Sequence, residues 1–269
     1  MNKTERRMVE CLIDLKNNHH VIGVKAEFEA EGTRLEEAML LKEVISSAKL
    51  GLTLKIGGCE AVRDMYEARV LGVDRIVAPM VETPYALKKF LSAIKLAFQE
   101  DEREQIKFVI NVETIVTCGN FDKMLALPEI DELNGVVIGR VDLSGSAGLN
   151  RSNINSDEIF ELTNDVVTKA HARGLDTAVG GGVSADSLPF LRSLPEGSLN
   201  YYETRKVIFE CPQSLGADSE IGILKAVFFE LLWLKNKRDF YGLIFREDAH
   251  RIELLEMRYK NAMEKYGIS

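Results

Sequence analysis

The sequence has no apolar run long enough to cross a bilayer. Its longest apolar stretch, Ala226–Leu234, is short and interrupted by Glu230. It also lacks a basic cluster: 34 Lys and Arg face 42 Asp and Glu, a formal net charge of −8. A nucleic-acid or anionic-membrane partner needs a cationic face, so neither is expected. The opening MNKTERRMVECLIDLKNN is amphipathic and charged, unlike a secretory signal, and a cytoplasmic location is expected. No C-x-x-C spacing occurs among Cys11, Cys59, Cys118 and Cys211. That argues against a zinc or disulfide framework and for reduced thiols, with Cys118 read as a small buried hydrophobe. No G-x-G-x-x-G fingerprint supports a doubly wound dinucleotide fold. The four histidines offer little. His19 and His20 precede a strand, His171 sits near a helix end where it complements the dipole, and His250 lies in the C-terminal helices.

What is present is alternation. Apolar residues make up 46% of the 269 residues, enough for one large core, and charged residues 28%. Short apolar runs read as strands at Val21–Phe28, Leu52–Ile56, Arg75–Met80, Lys107–Val112, Gly135–Val141, Asp176–Val179 and Tyr202–Phe209, with helical segments between them. Thr33-Arg-Leu-Glu36 reads as a capping box, Thr83-Pro84 as an N-cap with proline in the first turn, and Gly174 as a helix stop. The N-terminal segment places Met8, Cys11, Leu12 and Leu15 at helical spacing. The expectation is an α/β fold, a TIM-type (β/α)8 barrel spanning 1–269 as a single domain. Seven strands are legible; the eighth is either short and irregular or lost to a modified N-terminal end. Residues 219–269 read as a helical extension with broad apolar surfaces, which either cover the barrel or form a subunit contact.

In such barrels the site lies at the C-terminal strand ends. The polar residues there are Lys25, Glu27 and Glu29; Lys55; Glu82; Glu113; Arg140 and Asp142; the Gly180–Gly182 run; and Arg205. Glu113 ends the otherwise apolar strand at Ile110-Asn111-Val112, and Asp142 follows Val136-Val137-Ile138-Gly139-Arg140-Val141 on the next strand. Neighbouring parallel strands lie about 5 Å apart, so two carboxylates there repel unless protonated or bridged by a cation. Mg²⁺ or Mn²⁺, which accept one or two carboxylates with water and substrate oxygens completing the shell, suit the pair. The alternative is that each carboxylate caps a loop or pairs with a base such as Arg140. Arg140 and Asp142, two apart, are expected on one strand face.

Pro79-Met-Val-Glu-Thr83, Ile110-Asn-Val-Glu-Thr114 and Ile138-Gly-Arg-Val-Asp-Leu-Ser144 together resemble the HpcH/HpaI aldolase/citrate lyase family, a phosphoenolpyruvate/pyruvate-type barrel. Order and spacing match over about residues 20 to 185. The resemblance implies a divalent metal, Mg²⁺ or Mn²⁺, on Glu113 and Asp142. It also implies a pyruvate-type enolate, backbone N–H groups near Val141 and Asp142 holding a substrate carboxylate, and hydroxyl donors at Ser144 and Ser146. Three departures stand out. Glu27-Phe28-Glu29-Ala30 replaces the family's D-x-E-H, so Ala30 stands where the proton-transferring His would be. Lys55 replaces the Arg that polarises the keto oxygen, keeping the charge but not the planar fork. Arg140 replaces a proline and is a candidate for the missing cationic contact. Proton transfer is left to a metal-bound water, Glu27, Glu29 or Lys55, and Arg205 is a candidate for a distal anionic group.

The leading reading is a metal-dependent carbon–carbon lyase of class II aldolase type, taking a 2-oxo acid and an aldehyde and working as a homo-oligomer. The alternatives are a citrate lyase-like enzyme for acyl thioesters, phosphoryl transfer on pyruvate or phosphoenolpyruvate, and a barrel that binds a ligand or partner without turnover.

Overall fold

A computed structural model describes residues 1–266; residues 267–269 of the expected C-terminal extension lie outside the described residues. Eight strands close into a barrel in sequence order: β1 (Val21–Glu27), β2 (Gly51–Lys55), β3 (Arg75–Ala78), β4 (Lys107–Val112), β5 (Gly135–Gly139), β6 (Asp176–Gly180), β7 (Tyr201–Glu203) and β8 (Val207–Glu210). The helices are α1 (Lys3–His19), α2 (Leu35–Ser47), α3 (Val62–Leu71), α4 (Pro84–Ala97), α5 (Glu100–Arg103), α6 (Ile115–Leu125), α7 (Arg140–Ser146), α8 (Asp157–Ala172), α9 (Leu188–Arg192) and α10 (Ser219–Tyr266). The α/β barrel expected from the sequence is therefore observed.

Successive side chains on a strand point to opposite faces, and that period of two divides each strand here. Val24 and Ala26, Leu52 and Leu54, Ile76 and Ala78, Phe108 and Ile110, Val136 and Ile138 are buried in the large core shared with the helices. The alternate residues point into the barrel. Across its middle Val77, Val109, Val137 and Ala178 form a separate small cluster. One step further along the same rows stand Lys25, Glu27, Lys55, Asn111, Glu113 and Glu203. The barrel interior is thus apolar at its middle and ionic toward the C-terminal strand ends, which is why so many apolar runs end in charge.

The Tyr202–Phe209 run, expected as one strand, is two. Thr204, Arg205 and Lys206 turn the chain between β7 and β8, with the Val207 N–H donating to Thr204 Oγ1 at 3.1 Å and the Thr204 N–H to the Val207 carbonyl at 2.9 Å. The eighth strand missing from the sequence reading is the second arm of this hairpin, and it runs antiparallel to both β7 and β1. The reversal delivers the chain to the base of the barrel after β8.

From the base, α10 returns along α1 toward the strand-end face, where its Val227 and Glu230 reach the cavity. Asn236 ties α10 to the first turn of α1, donating to Glu5 Oε1 at 3.1 Å and accepting from Asn2 Nδ2 at 2.7 Å. Its 48 residues make a rod of about 70 Å. Beyond Asn236 the side chains are mostly exposed, Leu243 at 63% and Phe245 at 73%. Among the described residues no helix is long and apolar enough to cross a membrane.

Caps follow the sequence in part. Thr83 Oγ1 accepts the Ala86 N–H at 3.1 Å with Pro84 opening α4, and Gly174 takes a left-handed φ of 80° after α8. The expected Thr33–Glu36 box is displaced by one residue: Arg34 caps α2, and its N–H donates to Glu37 Oε2.

Candidate active site

A cavity of about 640 Å³ opens at the C-terminal strand ends. It is lined by six carboxylates (Glu27, Glu29, Glu113, Asp142, Glu203, Glu230) and four cationic side chains (Lys25, Lys55, Arg151, Arg205), an excess of two negative charges. Two lysines organise most of these groups. On β1, Lys25 Nζ stands 2.5 Å from Glu203 Oε1 and 3.1 Å from Glu27 Oε1. Burial works against the Lys25 ammonium, but Glu203 and Glu27 more than reverse it and raise its pKa above the usual lysine value. On β2, Lys55 Nζ lies 3.2 Å from Glu29 Oε2 and 3.6 Å from Glu113 Oε2.

Glu113 follows β4 and is 1% exposed. Its Oε1 accepts the Met80 N–H at 3.0 Å, and its Oε2 accepts Asn111 Nδ2 at 2.8 Å. Burial pushes its pKa up, and the Asp142 charge adds to that; Lys55 and the two hydrogen bonds oppose it without cancelling it. Gly139, the last residue of β5, makes room for this carboxylate, since a Cβ there would stand 2.9 Å from Glu113 Oε2. Asp142 is exposed in the first turn of α7 and lines the same cavity.

The donor set suits a hard divalent cation. Glu113 and Asp142 offer only oxygen, each carboxylate oxygen has two lone-pair sites, and Glu113 has one of them taken on each oxygen. Among the described residues no group of three or more His, Cys, Asp or Glu converges as a ready-made metal cage. Two carboxylates with the remaining positions left to water and substrate is a pattern Mg²⁺ and Mn²⁺ accept, and Glu113 and Asp142 would be the pair to supply them. A divalent cation would also balance the excess of two negative charges.

One expectation about β5 is corrected. The strand stops at Gly139, and Arg140 begins α7, so Arg140 and Asp142 do not share a strand face. Arg140 is fully buried behind the cavity wall and is not part of the cavity lining. Its Nε donates to the Gly180 carbonyl at 3.1 Å, and its Nη2 to the Gly181 carbonyl and Ser187 Oγ, each at 3.2 Å. Its Nη1 donates to Asn155 Oδ1 at 2.5 Å, and the guanidinium carbon lies 4.8 Å from the centre of the Phe190 ring. Burial without a carboxylate partner lowers its pKa to about 10. Its geometry makes it the clamp of the Gly180–Gly182 turn. Gly181, at φ 80°, stands against α7 so closely that a Cβ would lie 2.7 Å from the Arg140 and Val141 nitrogens. Only glycine permits that approach.

Other expected residues are distributed as follows. Lys55, Glu29, Val141, Asp142 and Arg205 line the cavity with Glu113. Arg205 sits in the β7–β8 turn, not at the end of a last strand, 3.7 Å from Glu27 Oε2 and 3.2 Å from Glu31 Oε1. Ser144 is buried outside the cavity lining with its hydroxyl unpartnered among the described residues. Ser146 Oγ accepts the Ile115 N–H at 2.8 Å and so joins α7 to the start of α6. Glu82 accepts from Thr114 Oγ1, a loop role. Among the lining residues, four with charged or amide side chains were missed. Asn111 and Glu203 carried a signal, each being polar and in phase with the inward row of its strand. Arg151 and Glu230 carried none, because a loop and a distant helix bring them in.

Fold and cavity together define an α/β barrel with an acid-rich centre at its strand ends. Residues 58–185, which include Glu113 and Asp142, match the model of the HpcH/HpaI aldolase/citrate lyase family, and the chain resembles that family. The match supports lyase-type chemistry in general. Solved structures share the fold. An HpcH/HpaI aldolase from Desulfitobacterium hafniense is 12% identical with a TM-score of 0.58, over 73% of this chain and 81% of that one. An HpcH/HpaI aldolase/citrate lyase family protein from Burkholderia cenocepacia is 13% identical with a TM-score of 0.59, over 87% and 100%. The citrate synthase SbnG is 14% identical with a TM-score of 0.60, over 86% and 90%. Identities this low speak to the fold alone. No curated protein sequence matches the chain.

Proposed function

We propose that this protein is a metal-dependent carbon–carbon lyase of class II aldolase type, cleaving or forming a 2-oxo acid through a pyruvate enolate. The observation that carries the reading is the pair Glu113 and Asp142, set beyond adjacent strands in a cavity whose carboxylates outnumber its cations by two. These two residues would hold Mg²⁺ or Mn²⁺. Such a cation supplies positive charge that stabilises the enolate oxygen as the carbon–carbon bond breaks.

The chain's own groups do the rest. Lys55, fixed between Glu29 and Glu113, keeps a cation beside the reacting carbons in place of the family's Arg. The backbone of Val141 and Asp142, against the Gly181 turn, would receive the substrate carboxylate. Arg205, about half exposed at the rim, is placed for an anionic group at the far end of the substrate. The exposed apolar side chains of α10 beyond Asn236 support a homo-oligomer in which that helix meets another subunit.

The test is aldol addition of pyruvate to a panel of aldehydes, followed by pyruvate consumption, with Mg²⁺ or Mn²⁺ and again after chelation. Turnover that stops on chelation and returns with the metal is expected. Turnover indifferent to chelation contradicts the metal reading. No turnover across oxo acids and aldehydes, together with a rise in melting temperature on adding coenzyme A thioesters, moves the protein to the acyl-thioester branch. Ligand binding without any turnover leaves a non-catalytic barrel.

A further inference from the structure

Among the described residues, one carboxylate oxygen lining the cavity is buried and makes no hydrogen bond: Glu27 Oε2. The other acids are engaged or exposed. Both Glu113 oxygens accept hydrogen bonds, and Glu203 Oε1 receives the Lys25 ammonium. Glu29 Oε2 takes its own loop's Ala30 N–H as well as Lys55, and Asp142 is open to water. Glu27 is 3% exposed, its Oε1 is held by Lys25, and the nearest cation to Oε2 is the Arg205 guanidinium, at 3.7 Å. A buried carboxylate oxygen with no donor costs free energy, and the cost is recovered when a ligand brings a proton to it.

We propose that Glu27 is the proton-transfer residue of this site. Resting on the lyase reading, it takes the place of the histidine that Ala30, lining the same cavity, cannot supply. In the cleavage direction the Glu27 carboxylate accepts the proton of the substrate's C4 hydroxyl. The C3–C4 bond breaks, its electron pair passes to the enolate, and the C4 carbon leaves as an aldehyde. The Glu27 carboxylic acid then returns the same proton to C3, giving pyruvate and restoring the carboxylate. No oxidant or reductant is needed.

The surroundings set the starting state of that cycle. Burial alone would raise the Glu27 pKa, but Lys25, then Arg205, with Lys55 also contributing, hold it below the usual glutamate value. The charged groups facing it are Lys25 on its own strand, Lys55 on β2, Glu203 on β7, Arg205 and Lys206 in the hairpin turn and Glu230 on α10. Glu27 therefore enters each cycle as the base at neutral pH. Lys25, shared with Glu203, is a positioning residue that fixes Oε1 and leaves Oε2 without a donor.

The experiment follows deuterium entering the methyl group of pyruvate in D₂O by proton NMR, with Mg²⁺ present, which needs no knowledge of the aldehyde. The expected result is exchange by the wild type and a loss of at least about 100-fold in Glu27→Gln, the scale of a general acid–base contribution. Pyruvate binding by calorimetry is expected to persist in that variant. Glu27→Ala is expected to be equally slow and to regain part of the rate with added formate, which a merely structural role would not produce. Exchange by Glu27→Gln near the wild-type rate overturns the assignment. If Glu27→Gln does not fold, Glu27→Ala without any formate response overturns it. No exchange by the wild type overturns the lyase reading itself, and this proposal with it.

Discussion

Replacing Arg140 with alanine is expected to lower the melting temperature by about 6–12 °C, the shift that about 3 kcal/mol produces in a domain of this size. The guanidinium is fully buried and donates to the Gly180 and Gly181 carbonyls, Asn155 Oδ1 and Ser187 Oγ. Each acceptor left without a donor costs about 1–3 kcal/mol, less where water can enter the space. Arg140→Lys keeps the charge but one donor point in place of a planar fork, so its loss should fall between wild type and alanine. Because the clamp sets the Gly180–Gly182 turn against the N–H end of α7, both variants should also weaken pyruvate binding. A melting temperature unchanged in Arg140→Ala would show that the network holds nothing together.

Glu113→Gln should separate function from stability. Turnover is expected to fall at least about 100-fold, since the lost ligand removes charge stabilisation worth several kcal/mol. The melting temperature should stay within about 3 °C of wild type, less than about 1 kcal/mol. The sign follows from the carboxyl group. Burial, with the nearby Asp142 charge, holds the folded-state pKa above the unfolded one. The folded protein therefore disfavours the carboxylate at every pH above the unfolded value, and at neutral pH the charge destabilises the fold. Losing that charge offsets the hydrogen bonds from Met80 and Asn111 that the amide makes less well. Chelator-sensitive turnover and thermal melts on the same preparation check both halves. A variant that loses turnover only in proportion to lost fold would make Glu113 structural.

The parts of this protein that could be read from its sequence are those whose signal is local. β4 has the bounds expected of it because Phe108-Val-Ile110 and Val112 make Lys107–Val112 a compact β-prone run, and Thr83-Pro84 opens α4 through a bond spanning three residues. The β7–β8 hairpin escaped because apolar residues flank Glu203–Lys206 on both sides, so the polar stretch read as part of one strand, with Arg205 as its site candidate, instead of as a reversal. β5 was drawn too long because Arg140-Val141-Asp142 alternates as a strand would. Gly181, forty residues on, packs against the start of α7, a contact that no local spacing encodes. In the site, Glu113, Lys55, Glu27 and Glu29 were visible as charges at the ends of apolar runs. Which of them holds a cation, a lysine or a free lone pair depends on Lys25 reaching Glu203 and Lys55 reaching Glu113, and no spacing encodes those distances.

The central claim is a cation site completed by substrate at Glu113 and Asp142. Calorimetry of Mn²⁺ binding, with and without pyruvate, on wild type and Asp142→Ala tests it most directly. The account predicts tight Mn²⁺ binding by the wild type only when pyruvate is present, and its loss in Asp142→Ala. Absence of Mn²⁺ binding in the wild type, or binding that neither pyruvate nor Asp142 affects, would contradict it.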